Sequence, residues 1–346
     1  GALTAAQVVG LTTAQVAAIE VADLPALSSA SIAGMSTAQI NALSTAQLVA
    51  LSTAQASALS GAQLGAISTA KISTLETADI AALKTSAIPG LTTAQVVALT
   101  DAQVAAFTTA QLAAMEAVDF AKLTSAQIVA LTTAQAASLT AAQIAALSTT
   151  QAAAIEAADI AALTTEAVKG FTAAQMAKLT TAQLVALTTA QVASLSAAQI
   201  GALTTEQIAA MQVADIAAIS TSAITGLTTA QVVALTNAQV AALTTAQLSK
   251  MAVDDLQALT TADIVLLNSA QIGSLTATQM AGLSTAQVAA IEVADLPALD
   301  TADIKALSSA QIGALSTAQL VALNTAQVAA IDAADLKALS SAQIVA

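Results

Sequence analysis

The residues best placed for chemistry are seven acidic pairs at spacing i, i+3: Glu20/Asp23, Glu76/Asp79, Glu116/Asp119, Glu156/Asp159, Glu292/Asp295, Asp300/Asp303 and Asp332/Asp335. Carboxylates one helical turn apart hold a hard divalent cation loosely, which makes Glu20, Asp23, Glu292 and Asp295 the candidate calcium ligands. The chain lacks the alternating Asp and Gly of a calcium loop, however. The preferred reading is that Glu or Asp replaces a helix-capping hydroxyl and Asp replaces a capping Gln, because helix N-termini favour anions. No resident metal is expected.

Other chemical groups are scarce. His, Cys, Trp and Tyr are absent, and all 8 basic residues are Lys. General acid/base catalysis, thiol nucleophiles, zinc sites and Arg clamps on phosphate draw on those missing types. The expectation is a protein that is not an enzyme and needs no cofactor. The Lys residues are isolated and read as solvated helix ends. The Ser and Thr rows offer a lattice for ice or O-glycans, but a capping role already explains them. No Asn begins a glycosylation sequon.

A net charge of -13 excludes the basic face that nucleic acid requires. Polar residues interrupt the chain in every block of eight, so no apolar run of about 18 residues exists for membrane insertion. Zero Cys excludes disulfides and leaves the redox compartment open. No charged n-region or cleavage site stands at Gly1, so any export signal is expected to have been removed or to lie outside this segment.

These residues must be positioned by a repeat. From Leu3 the sequence divides into 43 octads without insertion or deletion, leaving residues 1–2 as a preceding stub. The consensus is L-[S/T]-T-A-Q-[I/V/L]-A-A, as in LTTAQVAA at 11–18. An octad cannot ride one continuous α-helix, since two turns over eight residues mismatch the natural period of about 3.6. The helix must therefore break once per octad. Ser or Thr at position 2 and Gln at position 5 have capping-box spacing, and the apolar residues at positions 1 and 6 form the hydrophobic staple. Thr12/Gln15, Thr92/Gln95, Thr188/Gln191 and Thr228/Gln231 are representative structural caps.

Charge follows the same polarity. All 21 acidic residues fall at positions 2 to 5, and six Lys fall at positions 7 or 8, Lys71 and Lys84 being the exceptions. Apart from Gly1 and Gly61, each Gly sits at position 7 or 8, where helices end. Pro25, Pro89 and Pro297 occupy position 7, where a longer helix would lose a hydrogen bond. The predicted fold is all-α: a single continuous solenoid or spiral over 3–346, one capped helix of five or six residues per octad, with a Leu/Ile core. Helices this short need neighbours; Ala at positions 4 and 8 allows close approach, and Gln side chains can form ladders between turns. A β-solenoid is the alternative, given the Thr and Val content, but the apolar positions do not alternate.

A second period overlies the first. Acidic octads recur at spacings of 7, 5, 5, 7, 5 and 5 octads, a super-repeat of 136 residues. LTTAQVVALTDAQVAA from Leu91 returns as LTTAQVVALTNAQVAA from Leu227. Duplication explains this, and so does geometry: about 2.4 octads per turn would align the acidic octads along one stripe. Four octads lack Gln at position 5 (Ser31, Ala87, Ala167, Ala223) and end in Gly (Gly34, Gly90, Gly170, Gly226), which predicts local bends.

The run LTTAQVVAL at 91–99 resembles the opening of TAL-effector repeats, but those are about four times longer and carry a base-reading pair that no octad has. A closer resemblance is to the Ala/Thr/Gln-rich octapeptide-repeat tracts of large exported, adhesin-like bacterial proteins, and it covers all 43 octads. It implies a secreted or surface-displayed scaffold and transfers no functional residues. The calcium-binding nonapeptides of some such proteins are missing. The expected function is a structural filament, matrix fibre or adhesin stalk, extracellular or at the cell surface, built by head-to-tail stacking of copies. The alternatives are a surface module that binds ice, glycan or a cell-surface partner, and a passive spacer in a giant exoprotein. Nucleic acid and membrane insertion are not expected.

Overall fold

A computed structural model describes residues 3–345. The stub at residues 1–2 and the final Ala346 lie outside the described residues. Each octad forms one short helical element, and most are opened by the anticipated side-chain cap. The described residues contain 38 α-helices and five 3-10 helices, one element per octad, and no strand. The β-solenoid alternative is not supported.

One octad illustrates the construction. The helix Asp101–Ala106 starts after Thr100, whose backbone is extended, and ends at Phe107, which turns away from the helical region. Positions 1 and 2 therefore form an extended corner, while positions 3 to 8 are helical. The N–H of Phe107 closes the helix end on the Val104 carbonyl at 3.2 Å. The α-helices run four to six residues. Pro25 and Pro89 lie inside 3-10 segments, Val21–Ala26 and Thr85–Gly90, and Pro297 lies in Leu296–Ala298. The tighter turn suits a residue without an N–H.

The fold forms two compact units, one ending at Leu179 and the other beginning at Thr180. In each, short helices spiral around a core made of positions 1 and 6. Leu99, Val104, Phe107 and Leu112 illustrate it in the first unit, and Leu235, Val240, Leu243 and Leu248 in the second; all are buried. Within each unit a helix packs chiefly against the one three octads away, as Thr53–Ala56 does against Thr77–Ala82 and Thr189–Ala193 against Val213–Ala218.

One turn therefore takes between three and four octads, not the 2.4 that would align the acidic octads. Glutamine side chains reach carbonyls 28 to 31 residues earlier. With a turn of this length, acidic octads 40 residues apart are displaced by nearly half a turn. Asp79, Asp119 and Asp159 are thus scattered around the first unit rather than stacked in a stripe.

Candidate functional site

The feature repeated through both units is the joint between turns. Gln103 shows its parts. Its backbone N–H donates to Thr100 Oγ1 at 3.2 Å, and its Oε1 accepts from the Thr100 N–H at 2.9 Å. This is the reciprocal capping box. The Nε2 end then donates to the carbonyls of Ile72 and Leu75, at 2.9 and 2.8 Å, one turn away. Ile72 ends its helix, where its carbonyl otherwise accepts only the Leu75 N–H at 3.3 Å, and Leu75 lies in the corner that follows. One side chain thus opens its own helix and closes another in the adjoining turn. Gln103 is buried, so both ends of its amide are satisfied by protein. The expected Gln ladders are absent at this joint because the amide bonds to backbone instead.

Gln95 and Gln231 are joints of the same kind. Gln95 donates to Leu64 and Ile67, and Gln231 to Ile200 and Leu203. Capping boxes pair Thr12 with Gln15, Thr92 with Gln95, Thr188 with Gln191 and Thr228 with Gln231. Lys71 occupies the Gln position in its octad, and its Nζ donates to the Asn41 carbonyl at 2.6 Å.

Acidic octads are built differently. Glu20, Glu76, Glu116 and Glu156 make no side-chain cap bond, which corrects the expectation that acidic side chains replace the cap hydroxyl there. All four glutamates are exposed to solvent. Asp300 with Asp303 does form a capping box, as does Thr260 with Asp263. Most position-5 aspartates are buried within the stack. Asp159 and Asp215 accept from Thr133 and Thr189, 26 residues earlier, while Ser269 and Ser309 donate to Asp295 and Asp335 at the same spacing. Asp79 Oδ2 and Asp159 Oδ2 are buried without a hydrogen-bond partner.

Burial pushes the Asp79 carboxyl up to about 6, with the Glu76 charge acting in the same direction. It also pushes Asp303 up to about 6, opposed by a backbone hydrogen bond from Asp300. Asp119, Asp159, Asp215 and Asp255 are raised by burial first of all. Desolvation disfavours the carboxylate form in each case.

The candidate calcium ligands do not converge. Glu20 and Asp23 are exposed beside Leu3 and Ile19, while Asp295 is buried and Glu292 exposed. Among the described residues, no three acidic side chains gather as a metal site.

Glycines mark a second kind of contact. Ser31, Ala87, Ala167 and Ala223 are buried where Gln otherwise stands. At the last three, the backbones of adjacent turns come together. A Cβ on Gly90 would lie 2.1 Å from the Gly61 carbonyl oxygen, one on Gly170 2.3 Å from that of Ala141, and one on Gly226 2.1 Å from that of Ala197. No described residue has positive φ, so these glycines serve close approach rather than a left-handed helix end. The opposing residue is itself small in all three pairs. Gly65 and Gly201 add matching contacts to the carbonyls of Gly90 and Gly226. Sequence reasoning missed these contacts; the 25-residue spacing of Gly65 and Gly90, which returns after 136 residues as Gly201 and Gly226, was the available signal.

No helix among the described residues is long and apolar enough to cross a membrane. No curated protein matches the chain. The ALTTAQ repeat family matches at residues 16–53, 40–69, 72–109, 112–149, 152–189, 176–213, 208–245, 248–285 and 288–325. These matches span most of the octads, and the chain, a repeat protein, belongs to the ALTTAQ repeat family.

Proposed function

We propose that the protein is a non-catalytic structural element of an extracellular filament, matrix fibre or adhesin stalk that grows by head-to-tail stacking. One observation carries this reading: the two outer faces of the described chain resemble the two halves of the internal joint. In the first octads, Gln7 and Gln15 are exposed, and their capping oxygens are engaged while no acceptor among the described residues meets Nε2. In the last, the position-6 side chains Val328, Leu336 and Ile344, of a row buried from Val8 to Ile312, are 48%, 41% and 59% exposed. A copy, or further octads, set against either face would repeat contacts already made within each unit. Contacts of this heterologous kind that do not close generate filaments.

The resemblance to octapeptide tracts of exported proteins supports the extracellular setting. Electron microscopy and light scattering of the full chain across concentrations test the assembly. Elongated particles that lengthen with concentration are expected, and Val328→Asp shortens them. A compact monomer at every concentration would refute the filament.

A second reading is a surface binding module for ice or glycan. It is favoured by the position-3 threonines Thr13, Thr93 and Thr229, which are exposed and are not the capping residues of their octads. Thermal hysteresis or glycan-array binding by the wild-type chain would support it.

A further inference from the structure

We propose that the buried position-5 aspartates make turn-to-turn stacking proton-dependent, so that each unit is tightest when they are neutral and loosens when they ionise. The geometry begins with what aspartate cannot do. The amide of Gln103 donates to two backbone carbonyls of the neighbouring turn. An ionised carboxylate in the same place is acceptor-only and has no proton to give. Asp79 and Asp159 each keep one carboxylate oxygen buried without a donor. A protonated acid supplies one O–H and removes a buried charge that no cation offsets.

No helix packed on these aspartates within its unit carries a cation, and Lys122 and Lys305, in the octads of Asp119 and Asp303, are the only basic residues in the aspartates' own octads. The helix of Asp79 packs on Thr53–Ala56, which carries no charge, and on Asp101–Ala106, whose only charge is Asp101; Glu76 stands in its own octad. Asp119 packs between Thr93–Ala98 and Ala141–Ala146, both uncharged, with Glu116 and Lys122 in its octad. In the first unit, Asp159 packs on uncharged Thr133–Ala136, with Glu156 in its own octad. In the second unit, Asp215 lies between Thr189–Ala193 and Asn237–Ala241, and Asp255 between Thr229–Val233 and Ala277–Gly282. None of those four helices bears a charge, and Asp254 is the only other charge in either octad.

The raised pKa of these groups, caused mainly by burial, agrees in sign. A carboxyl whose folded pKa exceeds its unfolded value binds its proton more tightly when folded, so stability rises as pH falls through the folded pKa. This is opposite to ordinary acid denaturation. The gain develops as pH falls below neutrality through about 6 for Asp79. It is complete below the unfolded Asp range near 4.

The test is thermal unfolding of the full chain by circular dichroism between pH 8 and pH 5, with sedimentation at each pH so that association is scored separately. The expected result is a Tm higher at pH 5 by roughly 5 °C or more. A variant combining Asp79→Asn, Asp119→Asn, Asp159→Asn, Asp215→Asn, Asp255→Asn and Asp303→Asn should lose most of that slope and exceed the wild-type Tm at pH 8. A Tm that is flat or falls toward pH 5, or a variant that keeps the full slope, would overturn the proposal. Because association also raises an apparent Tm, the comparison is made at pH values where sedimentation shows the same assembly state, so a failure of the filament reading leaves both outcomes readable.

Discussion

Octads 99–106 and 75–82 share a core and differ at the joint. Leu99 and Val104 in one are as buried as Leu75 and Ile80 in the other. The first carries Thr100 and Gln103, with every polar end of the amide matched. The second carries Glu76 and Asp79, with no side-chain cap and a buried oxygen lacking a partner. Helix formation and burial therefore tolerate the acidic pair, while the donation to two backbone carbonyls does not survive it; Asp159 and Asp295 instead accept a single hydroxyl bond from the neighbouring turn. The core makes stacking favourable and the glutamine makes it specific.

The largest break in that comparison is Gln103→Ala, which removes the cap acceptor and both donors to buried carbonyls. It should cost about 3 kcal/mol in chemical denaturation. The same change at Gln15, whose amide meets no neighbouring turn, should cost about 1 kcal/mol. Gly226→Ala comes next, because its new Cβ meets the Ala197 backbone rather than a side chain that can swing away. A loss of roughly 1–3 kcal/mol is expected, and Gly10→Ala, where the nearest atoms are 3.5 Å away, should be neutral or mildly stabilising. The smallest effect sharpens the comparison instead. Glu76→Thr restores a cap hydroxyl to the acidic octad and should gain about 0.5–1 kcal/mol, read as a shift of the denaturation midpoint.

Much of the local structure was legible because its causes are local. Thr12 and Gln15 sit three residues apart, and a capping box depends on nothing farther away. The corner at positions 1 and 2 followed from the mismatch between eight residues and two helical turns. The turn length was not legible, because it is set where Gln103 meets carbonyls 28 and 31 residues earlier, a match between distant octads with no signature in either. Gly90 does end its helix, but the close approach that requires a glycine there was not legible because its partner, Gly61, is remote. Glu76 was misread as a cap because charge preference at a helix start says nothing of side-chain reach. The 136-residue period did carry structural content, since Gly65 with Gly90 and Gly201 with Gly226 repeat the same backbone contact.

The most direct test of the joint is Gln103→Glu, which keeps the shape and the cap-accepting oxygen of the side chain and removes only the donors to Ile72 and Leu75. Equilibrium denaturation at pH 8 should show a loss of about 2 kcal/mol or more, partly recovered at pH 5 as the acid regains a proton. A variant as stable as the wild-type chain at pH 8 would show that the glutamine merely caps its own helix and that the turns are held together without it.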